Sequence, residues 1–174
     1  MNFLRISILL VTISLISACA TSPPKGAVPV TDFELSRYLG TWYEIARLDH
    51  GFERGLSNVT AEYSLNQNGT VKVLNAGYDT LRGRWRSAEG EAKFRGDESV
   101  GSLKVSFFGP FYGGYHIIRL GDSYQYALVV GPTKGFLWIL SREPVLDETV
   151  YHDLLDTAAS LGFSISDVIL VDHD

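Results

Sequence analysis

Residues 102–141 read SLKVSFFGPFYGGYHIIRLGDSYQYALVVGPTKGFLWILS, and this stretch decides the fold. Runs rich in β-branched and aromatic residues alternate in it with short groups of Gly, Pro and Asp, which is typical of strands joined by tight turns. The pattern predicts four strands, at 102–108, 115–120, 124–130 and 136–141. Strands that follow one another through short turns pair as an antiparallel meander.

The same pattern extends towards the N-terminus. It predicts four earlier strands, at 42–48, 57–66, 70–78 and 83–93, with Asn68-Gly69 as a hairpin turn between the second and the third. Eight strands are enough to close a barrel whose interior holds one small ligand. We therefore predict an all-β fold, an eight-stranded antiparallel up-and-down β-barrel.

One amphipathic helix follows the predicted strands, at 147–161. Its apolar residues recur at the three- and four-residue spacing of a single helix face: Val150, Tyr151, Leu154, Leu155, Ala158 and Leu161. Asp147 is the expected N-cap, and Gly162 is the expected stop. This C-terminal helix is predicted to pack on the outside of the barrel, before a short final strand at 168–171. The whole domain is predicted to span 32–174.

The first residues of the chain resemble an export signal. Arg5 precedes an apolar stretch at 6–16, which is too short to span a bilayer. The stretch ends in Ile16-Ser17-Ala18-Cys19, which resembles the bacterial lipobox. Residues 1–18 are therefore predicted to be a signal peptide that is removed, and Cys19 is predicted to be the lipid-attachment site. The alternative is a plain signal peptide with an accidental cysteine.

The residues after Cys19 carry two further predictions. Ala20 at the next position, instead of Asp, resembles the sorting pattern of outer-membrane lipoproteins, so the predicted location is the periplasmic face of the outer membrane, with acylated Cys19 in the lipid. Residues 19–31 contain three prolines and little that packs, which predicts an extended, lipidated tether.

Composition excludes several other kinds of function. The formal net charge is −5, so a nucleic-acid partner is not expected, and the single cysteine excludes an internal disulfide or a cysteine-based metal site. The four histidines lack the spacing of a metal site, and no cofactor or nucleophile motif is present. We predict neither a metal nor a cofactor nor catalysis. The alternative is a barrel enzyme acting on a lipid or pigment, which would depend on His50 or His116.

Separated motifs carry a family resemblance. Gly40-x-Trp42-Tyr43-Glu44 resembles the first signature of the lipocalins, and Leu140-Ser141-Arg142 resembles the third, while Tyr126-Ala127-Leu128-Val129 is what remains of the second. The segments GTWYEIAR, FERGLSNVTAEYSL, KVSFFGPFYGGY and LWILSREP resemble bacterial outer-membrane lipocalins, over about 25–171. The resemblance implies that the ligand is a fatty acid, lysophospholipid or phospholipid, stored or transported in maintenance of the cell envelope.

The topology predicts which end of the barrel is closed. The first strand starts where the eighth ends, so Trp42 and Arg142 are expected to meet there as a cation–π pair that closes the base. The alternative is that Arg142 binds an anionic ligand. The mouth is expected at the loops near 49–56, 79–82, 109–114 and 131–135. The aromatic residues at 107–112 predict contact with something apolar at this rim, or else packing between loops.

Alternation along the strands predicts the lining of the cavity. Glu44 is expected to point inward with Trp42 and to need a partner from Arg37, Arg84 or a tyrosine hydroxyl, and either Tyr115 or His116 should face the cavity. The predicted ligand-binding residues are Ala46, Val105, Phe107, Tyr112, Tyr115, His116, Trp138 and Leu140.

The sequence therefore predicts a lipid-anchored periplasmic lipocalin that binds an acyl ligand. An aromatic rim also makes a homodimer plausible. The alternative is an envelope interaction lipoprotein whose barrel is filled by its own side chains.

Overall fold

The structure, a computed structural model, describes residues 21–174, and its strands form a single closed sheet. The predicted signal peptide and Cys19 lie outside the described residues. Closure follows because the first strand pairs with the second, the eighth and the ninth. The strands are β1 (Gly40–Leu48), β2 (Leu56–Leu65), β3 (Val71–Asp79), β4 (Arg84–Phe94), β5 (Ser102–Phe108), β6 (Phe111–Leu120), β7 (Tyr126–Val130), β8 (Leu137–Ser141) and β9 (Val168–Leu170).

Each strand from β1 to β8 pairs antiparallel with the next, so the predicted up-and-down barrel is confirmed. One hairpin is tighter than the sequence predicted. Phe108 pairs with Phe111, so the turn between β5 and β6 is Gly109-Pro110 alone. Gly113 and Gly114, predicted as loop residues, belong to β6 and pair with β5.

The helical elements lie at the base and on the outer wall. Helix α1 (Leu35–Tyr38) precedes β1, and α2 (Glu148–Ser160) follows β8. The Asp147 side chain accepts hydrogen bonds from two backbone amides of the first turn of α2, and Gly162 ends the helix region at φ +78°. As predicted, α2 packs outside the barrel, where Leu154 and Ala158 are fully buried. A 3₁₀ turn, Ile165–Asp167, leads into β9. This strand pairs antiparallel with the last residues of β1, from Ala46 to Leu48.

Two hydrophobic clusters hold these layers together. The first lies inside the barrel around Trp42, Tyr38 and Phe33, towards the base. The second lies outside it, between α2 and the outward faces of β1, β7 and β8, and includes Ile139 and Leu137. The first cluster continues up the barrel interior, where Val105, Phe107 and Trp138 pack against it.

The stretch 21–31, within the predicted tether, lies along the outer face of β5 and β6. The Val30 amide donates to the Ile117 carbonyl, and the Gly101 amide donates to the Val30 carbonyl, each across 2.9 Å. Ala27 is buried in the outer cluster. Backbone bonding and small apolar side chains thus attach this stretch to the barrel in spite of its prolines.

Candidate ligand-binding site

The base of the barrel is closed by Arg142 and Trp42. The guanidinium carbon of Arg142 lies 4.0 Å from the centroid of the buried Trp42 ring. The Arg142 guanidinium nitrogens also donate at 2.8–3.3 Å to backbone carbonyls of the surrounding turns, namely those of Arg37, Tyr38, Leu39, Thr41 and Tyr124. Because its donors are used by carbonyl groups, Arg142 holds the base together and is not free to bind an anionic ligand.

A cavity of about 330 Å³ opens at the opposite end. Its outer part is lined by aromatic residues of the mouth, which are Phe52, Phe107, Phe108, Phe111 and Phe136. Its inner part is lined by Ala61, Tyr63, Val73, Val105, Tyr115, Trp138 and Leu140. Side chains therefore do not fill the barrel, contrary to the filled-barrel alternative. Of the predicted ligand-binding residues, Val105, Phe107, Tyr115, Trp138 and Leu140 line this cavity.

Ala46 does not line the cavity, and that expectation is corrected. The register of β1 against β8 shifts between Glu44 and Ala46, so that Glu44 pairs with Leu140 while Ala46 pairs with Ile139. One residue is thus added to β1, and the alternation of faces changes after it. Ala46 is buried in the cluster beneath α2.

Tyr112 and His116 also lie off the cavity, because the inward-facing residues of β6 are Phe111, Gly113 and Tyr115. Tyr112 lies on the outer face, with Lys104 Nζ 5.1 Å from its ring centroid. His116 is buried against β5, where its Nδ1 lies 3.0 Å from Ser102 Oγ. Burial, together with the charge of Arg95, lowers the pKa of His116 to about 4, so its ring is neutral at physiological pH.

The cavity wall contains a buried polar cluster that the sequence patterns did not predict. Arg47 Nη1 donates to Glu44 Oε1 across 2.6 Å, and Arg47 Nη2 donates to the Glu53 carbonyl across 2.9 Å. Arg47 is therefore the partner of Glu44, and the expected partners Arg37 and Arg84 are corrected. In a regular strand two residues three positions apart lie on opposite faces, so no sequence signal indicated this pair.

The loop 49–55 folds into the mouth and brings Glu53 to this cluster. The Glu53 carboxylate accepts a hydrogen bond from Trp138 Nε1 at 2.9 Å, and His50 Nε2 lies 3.1 Å from the same oxygen. Burial and the charge of Glu53 raise the pKa of Glu44 to about 8. At neutral pH Glu44 is thus mostly protonated, and it accepts the Arg47 hydrogen bond as a neutral carboxyl group.

The inner end of the cavity is polar but uncharged. The Tyr115 hydroxyl lies 2.7 Å from that of Tyr38 and 2.8 Å from that of Tyr63, and burial raises the pKa of all three phenols. Asn75 Oδ1, buried in the same wall, has no hydrogen-bond partner among the described residues. The arrangement suits an apolar chain that meets a few neutral polar groups at its end.

Within 21–174, no three metal-ligating side chains come together as a metal site would require. In the same range, no helix combines the length and the apolar character that crossing a membrane demands.

Comparison with known proteins gives consistent matches. The family model described as a lipocalin-like domain matches residues 33–173. The outer membrane lipoprotein Blc of Citrobacter freundii is 51% identical over 158 residues, which cover 90% of this chain and 89% of that protein. Its namesake from Vibrio cholerae is 48% identical, covering 85% and 87%. Mouse apolipoprotein D is 33% identical, covering 82% and 78%.

A solved structure supports the same architecture. Insecticyanin from the tobacco hornworm Manduca sexta superimposes with a TM-score of 0.71 and 26% identity, covering 88% of this chain and 87% of that one.

Proposed function

Since the chain belongs to the lipocalin family, we propose that it is an outer-membrane lipoprotein that binds one acyl-chain lipid in its barrel. The observation that carries the proposal is the open cavity of about 330 Å³, with aromatic side chains around its outer part. The ligand class is a fatty acid, a lysophospholipid or a phospholipid. The role is lipid storage or transport in maintenance of the cell envelope.

The size and chemistry of the cavity favour a single chain. Small-ligand sites occupy ~300–1,000 Å³, and this cavity lies at the lower end of that range. Each buried methylene contributes about 0.8 kcal/mol, so an acyl chain gains affinity from desolvation without any chemical step. Fatty acids and lysophospholipids, which have one chain, therefore fit better than a diacyl phospholipid.

The charges in the wall favour one orientation of that ligand. Glu53 keeps a carboxylate inside the barrel, next to Trp138, and an anionic headgroup placed there would be repelled by it. Arg84 and Lys134, which are exposed at the mouth, offer charge of the opposite sign. The chain thus enters tail first, with its headgroup at the mouth.

The proposed location follows from the lipobox at Cys19 and from the names of the Blc relatives, which describe outer membrane lipoproteins. Acylation of Cys19 would hold the barrel at the periplasmic face of that membrane. Two or more acyl chains are needed for stable anchoring, since one chain binds only reversibly. Replacing Cys19 with Ser should leave the protein without a lipid mass shift and release it into the soluble periplasmic fraction.

The direct test is a binding experiment on delipidated protein. Native mass spectrometry of residues 21–174 from cells, followed by lipid extraction, identifies any acyl ligand that co-purifies, and titration with a fluorescent fatty acid measures affinity. Phe107→Ala, inside the mouth, should weaken binding several-fold, whereas Tyr112→Ala, on the outer face of the same hairpin, should not. Absence of saturable binding by any single-chain lipid would overturn the proposal.

A further inference from the structure

The mouth end of the barrel exposes large apolar side chains. Leu81 and Trp85, on the hairpin between β3 and β4, are 87% and 62% exposed, and Phe108 and Phe111, on the hairpin between β5 and β6, are 72% and 80% exposed. We call these four residues the mouth patch. Both hairpins project from the open end, and their side chains meet solvent instead of one another.

The exposed charges of the mouth are mainly basic. Arg54, Arg82, Arg84, Arg86 and Lys134 are exposed on the mouth loops and on the first residues of β4. Of these, Arg54 pairs with Asp49, and Arg82 and Arg86 share the buried Asp79. Positive charge thus remains in excess around the mouth patch.

The base of the barrel has the opposite character. Its loops expose more acidic than basic residues: Arg37 and Arg95 stand against Asp32, Glu34, Asp97, Glu98, Asp122, Glu143 and Asp147. The chain has a formal net charge of −5. A basic mouth on a net-acidic protein gives the molecule an electrostatic direction with respect to an anionic surface.

The start of the described chain leaves the barrel on the mouth side. From Val30, beside Ile117, the chain runs back to Thr21, whose carbonyl oxygen would lie 2.9 Å from a Cβ added at Gly114. Gly114 precedes His116 by two residues on β6, on the mouth side of it, and His116 pairs with Val130, the last residue of β7 at the mouth. Phe111 lies three residues further towards the mouth on the same strand, about 10 Å from Gly114.

The position of Thr21 bears on where a lipid anchor on Cys19 would enter the membrane. Cys19 precedes Thr21 by two residues in the sequence, and two residues of fully extended chain span at most ~7 Å. An acyl group on Cys19 would therefore enter the membrane beside the mouth patch and far from the acidic base. An anchor on a long free tether would impose no such orientation.

We propose that the mouth end is a docking surface for an anionic lipid bilayer, with the mouth patch inserted among the headgroups and the cavity opening onto the leaflet. The proposal rests on the acylation of Cys19 set out under the proposed function, and it adds the orientation. Exposed aromatic and leucine side chains next to arginines are the composition of surfaces that lie in the bilayer interface. An acyl ligand then passes between leaflet and cavity without crossing bulk water.

The first experiment measures vesicle binding by residues 21–174, which contain the closed sheet and both hydrophobic clusters. Binding to phosphatidylcholine vesicles should rise strongly when phosphatidylglycerol is included. Leu81→Ser with Trp85→Ser, neither of which lines the cavity, should weaken that binding at least about tenfold. The matched control is Leu65→Ser with Val145→Ser, which removes exposed apolar side chains at the base and should leave binding unchanged.

The second experiment tests orientation with the acylated full-length protein in vesicles that contain brominated phospholipids. Trp85 is the exposed tryptophan, so its fluorescence should be quenched. Trp85→Phe should lose most of the quenching and keep only what a brominated chain in the cavity causes at Trp138. Equal vesicle binding by the mouth and base variants, or quenching that is undiminished without Trp85, would overturn the docking proposal. So would a stable dimer in solution that shields Trp85 from vesicles.

The two proposals fail in different ways. If the unmutated full-length protein shows no lipid mass shift, or if fatty-acid binding in solution is absent, the proposed function is contradicted. The vesicle measurement on residues 21–174 then remains an independent test. Intact fatty-acid binding in the Leu81/Trp85 variant, together with intact vesicle binding, would contradict docking alone.

Discussion

Glu44 and Arg47 face each other inside the barrel with 2.6 Å between Oε1 and Nη1, although only three positions separate them on one strand. The register shift in β1 makes this possible, because the extra residue brings both side chains to the inner face. Both are nearly fully buried. The shift thereby gives the apolar cavity an ionisable wall.

Replacing Arg47, the cation of this cluster, should lower the free energy of unfolding. Arg47→Met leaves the buried Glu44 carboxyl and the buried Glu53 carbonyl without their hydrogen-bond donor, and each buried acceptor left unpaired costs about 1–3 kcal/mol. Urea unfolding at neutral pH measures the loss. Arg54→Met, which breaks the exposed pair with Asp49, is the control and should cost no more than about 1 kcal/mol. Equal losses in the two variants would contradict the role given to Arg47.

The stability of the fold should fall as pH rises through the range that Glu44 titrates. Its pKa is raised from the ordinary 4.5 to about 8 in the folded chain, so between these values the folded state holds a proton that the unfolded state has released. The free energy of unfolding therefore decreases with pH across this interval, by at most about 1.4 kcal/mol per pH unit for one proton. Urea unfolding between pH 5 and pH 8 measures the slope.

Glu44→Gln is the matched variant for that slope. The amide cannot ionise, so the variant should show a flatter dependence on pH and should be at least as stable as the parent near pH 8. An unchanged slope in Glu44→Gln would assign the dependence to another group.

Local regularity determined how much of the site the sequence predicted. Strand alternation identified Val105 and Phe107 on β5 and Trp138 and Leu140 on β8, because those stretches keep a two-residue period. It failed for Ala46, since nothing in GTWYEIAR marks the extra residue. A bulge is set by how neighbouring strands fit together, and that information is spread over distant segments.

Loops and packed segments were predicted least well for a related reason. Glu53 enters the cavity because the loop 49–55 folds inward, which no spacing rule indicates. Residues 21–31 lie on the barrel through backbone hydrogen bonds, such as those of Val30, that side-chain composition does not encode. By contrast, the order of eight strands and the position of α2 follow from patterns that are local in the chain.

Two neighbouring residues of β8 should separate ligand binding from stability. Trp138 faces the cavity, whereas Leu137 is fully buried in the outer cluster. Trp138→Ala should lower affinity for an acyl ligand about tenfold or more, because it removes a large part of the apolar wall. Leu137→Ala should cost about 2–5 kcal/mol of stability and leave affinity unchanged. Fatty-acid titration and urea unfolding on both variants test this, and an affinity loss in Leu137→Ala alone would contradict the assigned faces.

Arg142 should matter for stability and not for binding. A lysine at this position has a single ammonium group, which cannot reproduce the guanidinium's stacking on Trp42 while donating to the carbonyls of the α1 turn. We expect Arg142→Lys to cost about 2–3 kcal/mol, since hydrogen bonds from charged groups contribute about 1.5–3 kcal/mol each and do not add fully. Arg37→Lys, at the half-exposed neighbour, is the control and should cost less. Fatty-acid affinity should stay constant in both, because the cavity opens at the other end. A tenfold loss of affinity at unchanged stability would instead make Arg142 a ligand-binding residue.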